Sequence, residues 1–472
     1  MLLGFIAIGV MAAYLAVQRG ELDSFDGKAM ASVAQNLLLH HSVKECCNAF
    51  GAYPRDPGPY AKEGIGYSLL LTPLWHFQLT RGNPGGAAWL GLANPFLLTV
   101  TTVVIAKTGL VLGWRRSSAV LAALAFALLT MAPIYSAEFF AEPGVTLGTA
   151  LVILGFAVWQ ERVVPGALLL GLGIALATLF RPDSIVLLGL TVPLMALFHS
   201  RAVLVAKLRS WLPCLALPIG LTLAWTLYYN SLRYGNPFQL GYSGAYDFRG
   251  FSTPLIRGIA LLVWSPGKSF FVYSPILLAA IPGFALLWRR RRSLAIVIAV
   301  VFASRILLYA RWWTPEGGNS WGPRFLLPLC AVLAIPLGEA FEHLHEMRTH
   351  ARRAAIAGLG VLAAMSAVVQ FSSLVVSYRD VFKGLYDFNG LPRPIALTIF
   401  HHRMHRFVWS FGGNHISWNL RHIGSKAASS PLYWFHGGPT AFGLGMLGLA
   451  AVMCTGAIGM ACFSDRIEER RA

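Results

Sequence analysis

The sequence predicts an all-α polytopic membrane protein with about 12 transmembrane helices. Three observations carry that prediction. Of 472 residues, 56% are hydrophobic and only 12% are charged, where a soluble domain carries about 25% charged residues. The mean hydropathy is +0.60, and apolar runs long enough to cross a bilayer recur along the whole chain. The Lys and Arg residues, which leave a net charge of +18, fall in short segments at every second loop, the pattern of cytoplasmic loops. A soluble enzyme, a disordered chain and a coiled coil are excluded. The basic segments point to lipid headgroups and not to nucleic acid.

Crossings are predicted at 2–18, 86–113, 117–135, 143–160, 164–180, 184–200, 211–229, 272–288, 294–311, 324–340, 354–376 and 440–463. The first has no basic n-region and no A-x-A cleavage site, so it reads as a membrane helix and not as a removed signal. Arg115-Arg116, Arg162, Arg201/Lys207/Arg209, Arg289–Arg292, Arg348/Arg352/Arg353 and Arg466/Arg470/Arg471 then face the cytoplasm. Residues 65–80 are apolar but break that parity. They read as an interfacial or re-entrant helix on the outer side, helped by Pro73 and the Gly/Pro turn that follows. The outer loops are 19–64, 136–142, 181–183, 230–271, 312–323 and 377–439. Three parts result: a transmembrane module 1–376, an extracytoplasmic cap 377–439, and a last helix with a basic tail, 440–472. No pair of related halves marks an inverted-repeat transporter.

The six cysteines form no CxxC. Cys46 and Cys47 adjoin in a polar loop and the others lie in apolar runs, so no zinc site is read. Walker, GxSxG and HExxH motifs are also lacking.

Charge at the membrane boundary is costly and reads as functional by default. Asp23 and Asp26 follow the first crossing. Met30, Val33, Leu37 and Leu38 then recur at helical spacing, which predicts an amphipathic helix on the bilayer surface. Asp26 sits at its start, as a simple N-cap or as a general base. Lys62, beside Glu63, is a snorkelling anchor or a holder of a lipid phosphate. Glu138 and Glu142 occupy a short outer loop, with Glu142 before Pro143 suited to a helix start. In Arg181-Pro182-Asp183-Ser184, Asp183 suits a cap, and Arg181 needs a carboxylate or phosphate.

The loop 230–271 is rich in Tyr, Gly and Asn, the composition of a binding loop. It holds Tyr242, and Lys268 and Tyr273 stand where the chain re-enters the membrane. Trp312 and Trp313 suit the aromatic belt. Glu316 and Trp321 share their loop, and Arg324 opens the next helix, placed for a phosphate. His401, His402 and His405 have metal-like spacing without an acidic partner, and read as a solvated basic face.

Taken in order, these pieces resemble the GT-C membrane glycosyltransferases, in particular the family-39-like branch with protein O-mannosyltransferases and lipid A aminoarabinose transferases. The resemblance runs from about residue 20 to 340 through Asp26, Lys62-Glu-Gly-Ile-Gly-Tyr-Ser, Tyr-Ser-Ala-Glu with Glu142-Pro, Arg181-Pro-Asp, Gly235-Asn-Pro, Ser265-Pro-Gly-Lys-Ser and Trp321-Gly-Pro-Arg. It implies a GT-C-like fold with juxtamembrane helices in the first outer loop. It also implies an inverting transfer of sugar from a polyprenyl-phosphate-sugar donor to an acceptor hydroxyl on a glycolipid, glycan or protein, at the extracytoplasmic side of the cell membrane.

The resemblance implies Asp26 as catalytic base, with Asp23 in reserve. Lys62 and Arg324 would hold the donor phosphate, with Lys268 behind them. Glu142, Arg181, Tyr242, Tyr273, Glu316 and Trp321 would line the cavity. Family members often carry Asp-Glu where this chain has Asp26-Gly27. No metal ligand is assigned, and a divalent metal stays open. A transporter or flippase for a lipid-linked sugar would use a similar cavity without needing a base, and a ligase-type enzyme would rely on the three histidines. The sugar, the acceptor, the lipid length and the oligomeric state are not encoded in any motif.

Overall fold

The computed structural model describes residues 1–20, 22, 24–44, 60–81, 88–239, 250–378, 403–404, 406–424 and 440–471. Every regular element among them is helical. In chain order these are α1 (Leu2–Ala16), α2 (Phe25–His40), α3 (Ile65–Arg81), α4 (Ala93–Val111), α5 (Arg116–Leu129), α6 (Ala132–Ser136), α7 (Glu142–Trp159), α8 (Val163–Phe180), α9 (Ser184–Gly189) and α10 (Thr191–Leu197). They continue as α11 (Arg201–Ala206), α12 (Leu208–Tyr234), α13 (Leu255–Trp264), α14 (Phe270–Tyr273), α15 (Ala280–Arg290), α16 (Arg292–Arg311), α17 (Leu327–His343), α18 (Thr349–Val375), α19 (His415–His422) and α20 (Thr440–Arg471).

Eight of the described helices are long and apolar enough to cross a bilayer. The expected crossings 2–18, 117–135, 184–200 and 272–288 correspond to shorter apolar helical pieces: α1, α5 with α6, α9 with α10, and α14 through α15. Proline causes two of the breaks directly, since it has no N–H to donate. Pro133 restarts the chain as α6 after α5, where Thr130 bonds back to the Phe126 carbonyl at 2.7 Å. Pro275 opens a 3-10 turn to Ala279 before α15. The expected binding loop 230–271 also contains a helix, α13, which packs on α16.

The first-loop helices form as the spacing predicted. The Ser68 hydroxyl of α3 donates to the Met30 carbonyl at 2.9 Å, and Trp75 Nε1 donates to the Ala31 carbonyl at 2.7 Å. These bonds lay α3 along α2. The bundle centre is made by α4, α5, α7, α8 and α17. Small residues let its helices approach: a Cβ on Gly148 of α7 would stand 2.6 Å from the Gly173 carbonyl of α8. The described part of 377–439 docks on this module. Tyr378 is buried, and Asn419 donates to the carbonyls of Ser372 and Val376 at 3.2 and 3.1 Å.

At the basic end of the bundle, the start of α5 has no side-chain cap of its own. Asp465 of α20 supplies one, accepting from the amides of Arg116 and Ser117, both at 3.0 Å. Replacing Asp465 with Ala should lower stability by about 1–2 kcal/mol, read as a drop in the thermal unfolding midpoint in detergent. An unchanged midpoint would show that this clamp does not hold the bundle.

Candidate functional site

Four helical segments begin around one recess at the opposite end of the bundle, and each brings a charged side chain. The first is α2. Its cap is Ser24, whose hydroxyl accepts from the Gly27 amide at 2.9 Å and donates to the Phe139 carbonyl at 2.8 Å. Asp26 is therefore not the N-cap, and its carboxylate points to other partners. A Cβ on Gly27 would meet Phe139 Cβ at 2.5 Å. Only glycine lets α2 sit on the 138–141 turn, which explains Asp-Gly here. The second start is Glu142 of α7, with Pro143 behind it. The third is Asp183, which precedes α9. The fourth is Arg324, which opens the 3-10 turn leading into α17.

The side chains form a row of alternating charge. Lys62 Nζ is 3.6 Å from Asp26 Oδ1, and Arg324 Nη1 donates to Asp26 Oδ2 at 2.7 Å. Arg324 Nε stands 3.9 Å from Glu142 Oε1, and Arg181 Nη1 donates to the same oxygen at 2.9 Å. Arg181 Nε donates to Asp183 Oδ1 at 3.2 Å, and the Tyr309 hydroxyl donates to Asp183 Oδ2 at 2.5 Å. Aromatic rings support the guanidinium groups. Arg324 lies 4.6 Å over Phe140 and 4.9 Å over Phe325, and Arg181 lies 4.8 Å over Phe325.

The recess is narrow, a cavity of about 20 Å³, and is lined by Asp26, Met30, Glu63, Glu142, Arg181 and Asp183, among others. Exposure separates the roles. The Glu142 side chain is 2% exposed and anchors the row, Asp26 is 20% exposed and reachable, and Lys62, which also stands 3.8 Å from Glu63 Oε1, is 41% exposed. Burial would raise the Asp26 carboxyl. The charges of Arg324 and then Lys62 outweigh it and hold the group well below the usual carboxylate range. Asp183 is also lowered, because Arg181 and Arg305 overcome its burial.

Three supporting arginines were missed in the sequence. Arg305, inside the apolar α16 and away from the arginines at its two ends, donates from Nε to the Phe325 carbonyl at 2.6 Å. A lone Arg at membrane depth was the available signal. Arg233 donates to the carbonyls of Ala61 at 2.5 Å and Glu63 at 3.1 Å, and so pins the turn that carries Lys62. Arg19 pairs with Glu138, which also accepts from the Tyr378 hydroxyl at 3.0 Å.

Other expected residues lie elsewhere. Lys268 is fully buried, and its ammonium donates to the carbonyls of Gly318, Ser320 and Gly322 at 3.1, 2.6 and 3.0 Å. It shapes the loop before Arg324. Gly322 in that loop has φ +62°, and a Cβ there would meet Tyr273 Cγ at 2.7 Å. Tyr273 and Trp321 are buried with ring centroids 4.9 Å apart. Trp321 Nε1 donates to Gln370 at 3.2 Å. They brace the loop and are not among the residues that line the recess. Burial raises the Glu316 carboxyl, offset by its own backbone amide and then by the Lys268 and Arg257 charges. Asp23, Tyr242, His401, His402, His405, Cys46 and Cys47 lie outside the described residues. Among those described, no three His, Cys, Asp or Glu side chains group as metal ligands would.

No protein-family model matches the chain, and no curated protein matches it. Solved structures do. The crystal structure of ArnT from Cupriavidus metallidurans bound to undecaprenyl phosphate matches with a TM-score of 0.56 and 14% identity, over 96% of this chain and 77% of that one. The apo state of the same protein gives 0.54 and 14%, over 97% and 76%. The chain shares the helical fold of these ArnT structures.

Replacing Lys268 with Met would strand three carbonyls in the loop and should cost about 2–4 kcal/mol. The same change at half-exposed Lys62 should stay within about 0.5 kcal/mol. Thermal unfolding of both variants in detergent checks the contrast, and equal shifts would refute it.

Proposed function

We propose that the protein is an inverting glycosyltransferase. It would move a sugar from a polyprenyl-phosphate-sugar donor to an acceptor hydroxyl at the extracytoplasmic face of a cell membrane. The observation that carries this reading is Asp26, a reachable carboxylate held between Arg324 and Lys62 at the edge of a recess. A base beside two cations is what displacement of a lipid phosphate requires. The ArnT structure that shares the fold was obtained with undecaprenyl phosphate, a lipid phosphate of the class proposed for this chain. The alternation of basic loops supports a recess on the outer side.

The reaction is one displacement. The Asp26 carboxylate takes the proton of the acceptor hydroxyl. The oxygen attacks the anomeric carbon from the face opposite the lipid phosphate. The carbon–oxygen bond to phosphate breaks, and its electron pair leaves on the phosphate. The transition state is oxocarbenium-like, and the configuration inverts. Arg324 and Lys62 neutralise the growing phosphate charge. The row behind them, buried Glu142 with part-exposed Arg181 and Asp183, keeps Arg324 oriented.

Before donor binds, Arg324 and Lys62 are engaged by Asp26 itself. A docking phosphate competes for both cations and loosens their grip on the carboxylate. The Asp26 carboxyl then rises toward its ordinary value of about 4 or above, where it is a stronger base.

Two tests follow. Purified protein in nanodiscs, given radiolabelled polyprenyl-phosphate mannose, glucose or arabinose and a membrane-lipid extract, should transfer label. Asp26→Asn should cut the rate at least about 100-fold while donor still binds. Equal transfer by the variant would sink the base role, and donor binding by both forms without transfer would favour a carrier of lipid-linked sugars. The second test is pH. The free site keeps Asp26 ionised far below neutrality, so kcat/KM should show no acid limb from it above about pH 4. In kcat the limb should move up, because the donor complex frees the carboxyl. Coincident limbs in the two profiles would refute the competition for Arg324.

A further inference from the structure

The geometry points to a binding site for one anionic phospholipid at the end of the bundle opposite the recess, between α15, the end of α17 and the first half of α18. Each part of it follows from how α18 is packed. The buried residues of α18 are Ser366, Val369, Gln370, Ser372 and Ser373, all in its second half. Its first half stands off: a Cβ on Gly358 or Gly360 would meet nothing within 4 Å. A gap of about 330 Å³ opens there, lined by Leu278 of the 3-10 turn before α15, Pro282 and Leu286 of α15, Leu344 after α17, and Leu359 and Leu362 of α18. Its lining is apolar, apart from His343 at the mouth.

An empty apolar wedge facing a bilayer is filled by a lipid chain. The question is which lipid, and the rim decides. Pro282, Leu286 and Arg289 share one face of α15, at spacings of four and three. Arg348, Arg352, Ala355, Leu359 and Leu362 share one face at the start of α18. Arg289, Arg348 and Arg352 are exposed. Among the described residues none of the three has a carboxylate partner. The nearby acids are already engaged. Glu339 pairs with Arg290 at 3.0 Å, Glu346 pairs with Arg290 and with His343, and Glu342 accepts from the Arg115 amide at 2.9 Å. By helical register, three guanidinium groups therefore lie beyond the end of the apolar slot, on the faces that line it.

The dimensions fit one leaflet. From Ala355 to Leu362 the slot is about 10 Å deep at 1.5 Å per residue, a third of the roughly 30 Å hydrocarbon core. A phosphate at the rim and the first part of an acyl chain in the slot match that depth. The basic loops predict this end to be cytoplasmic, where anionic lipid is drawn to Arg clusters. A zwitterionic lipid would leave the rim charges unanswered. The site is independent of the glycosyltransferase reading, since none of its residues touches the recess.

The test uses the full chain in detergent, with dioleoyl phosphatidylglycerol or dioleoyl phosphatidylcholine added. Native mass spectrometry should show one retained phosphatidylglycerol, and no retained phosphatidylcholine. Two variants separate the parts of the site. Arg289→Gln with Arg352→Gln removes the rim charge, and Gly358→Phe fills the slot without touching the rim. Each should weaken phosphatidylglycerol retention about tenfold or more, with far-ultraviolet circular dichroism unchanged. Unaltered retention in either variant, equal retention of the two lipids, or a second copy of the chain bound in place of lipid would overturn the proposal.

Discussion

One row of alternating charges organises the outer end of this molecule. Lys62, Asp26, Arg324, Glu142, Arg181 and Asp183 come from five separate stretches of chain, and each neutralises the next. Removing charge from water at a membrane boundary is costly, so none of these groups is stable there alone. Their carboxylates also sit at helix starts, where the backbone amides favour negative charge. The row ties α2, α7, α9 and α17 to one point more tightly than apolar contact would. The same arrangement sets the chemistry, because a ligand phosphate entering the row must displace a carboxylate to be held.

Polar clamps matter more here than they would in a soluble bundle. Lipid tails are as apolar as leucine, so burial alone gives helices little reason to associate. Close packing of small residues and buried hydrogen bonds take over. Trp114 Nε1 donates to Glu339 at 2.8 Å at one end, and Lys268 gathers three loop carbonyls at the other. Between them, α18 is held by only its second half. A helix packed at one end and loose at the other is a compromise a bilayer permits, since lipid fills what protein leaves open.

Much of this was legible in the sequence. Hydropathy and the alternation of basic loops gave the membrane class and most long helices. Residues whose charge stood out at predicted helix ends, Asp26, Lys62, Glu142, Arg181 and Arg324, do meet in the structure. What failed had local causes. Proline at 133 and 275 cut predicted crossings into shorter pieces, because hydropathy windows count side chains and ignore missing amide donors. Ser24 took the cap that Asp26 was weighed for, a choice set by the Phe139 carbonyl more than a hundred residues away. Lys268 looked like a phosphate ligand from its loop. Only the fold reveals that carbonyls surround it. Arg305 and Arg233 act on backbone distant in sequence, which no motif records.

The order in which the chain is made adds a constraint. The helix that α1 packs against most closely is α20, with Gly9 set against Cys454. Some four hundred residues separate the two segments. At a synthesis rate of about 5–20 residues per second, tens of seconds pass between them. During that interval α1 waits without its main neighbour, its Tyr14 hydroxyl able to find the Ala127 carbonyl only once α5 has followed. The contact that closes α1 onto α20 forms late, and α1 must be content in lipid without it until then.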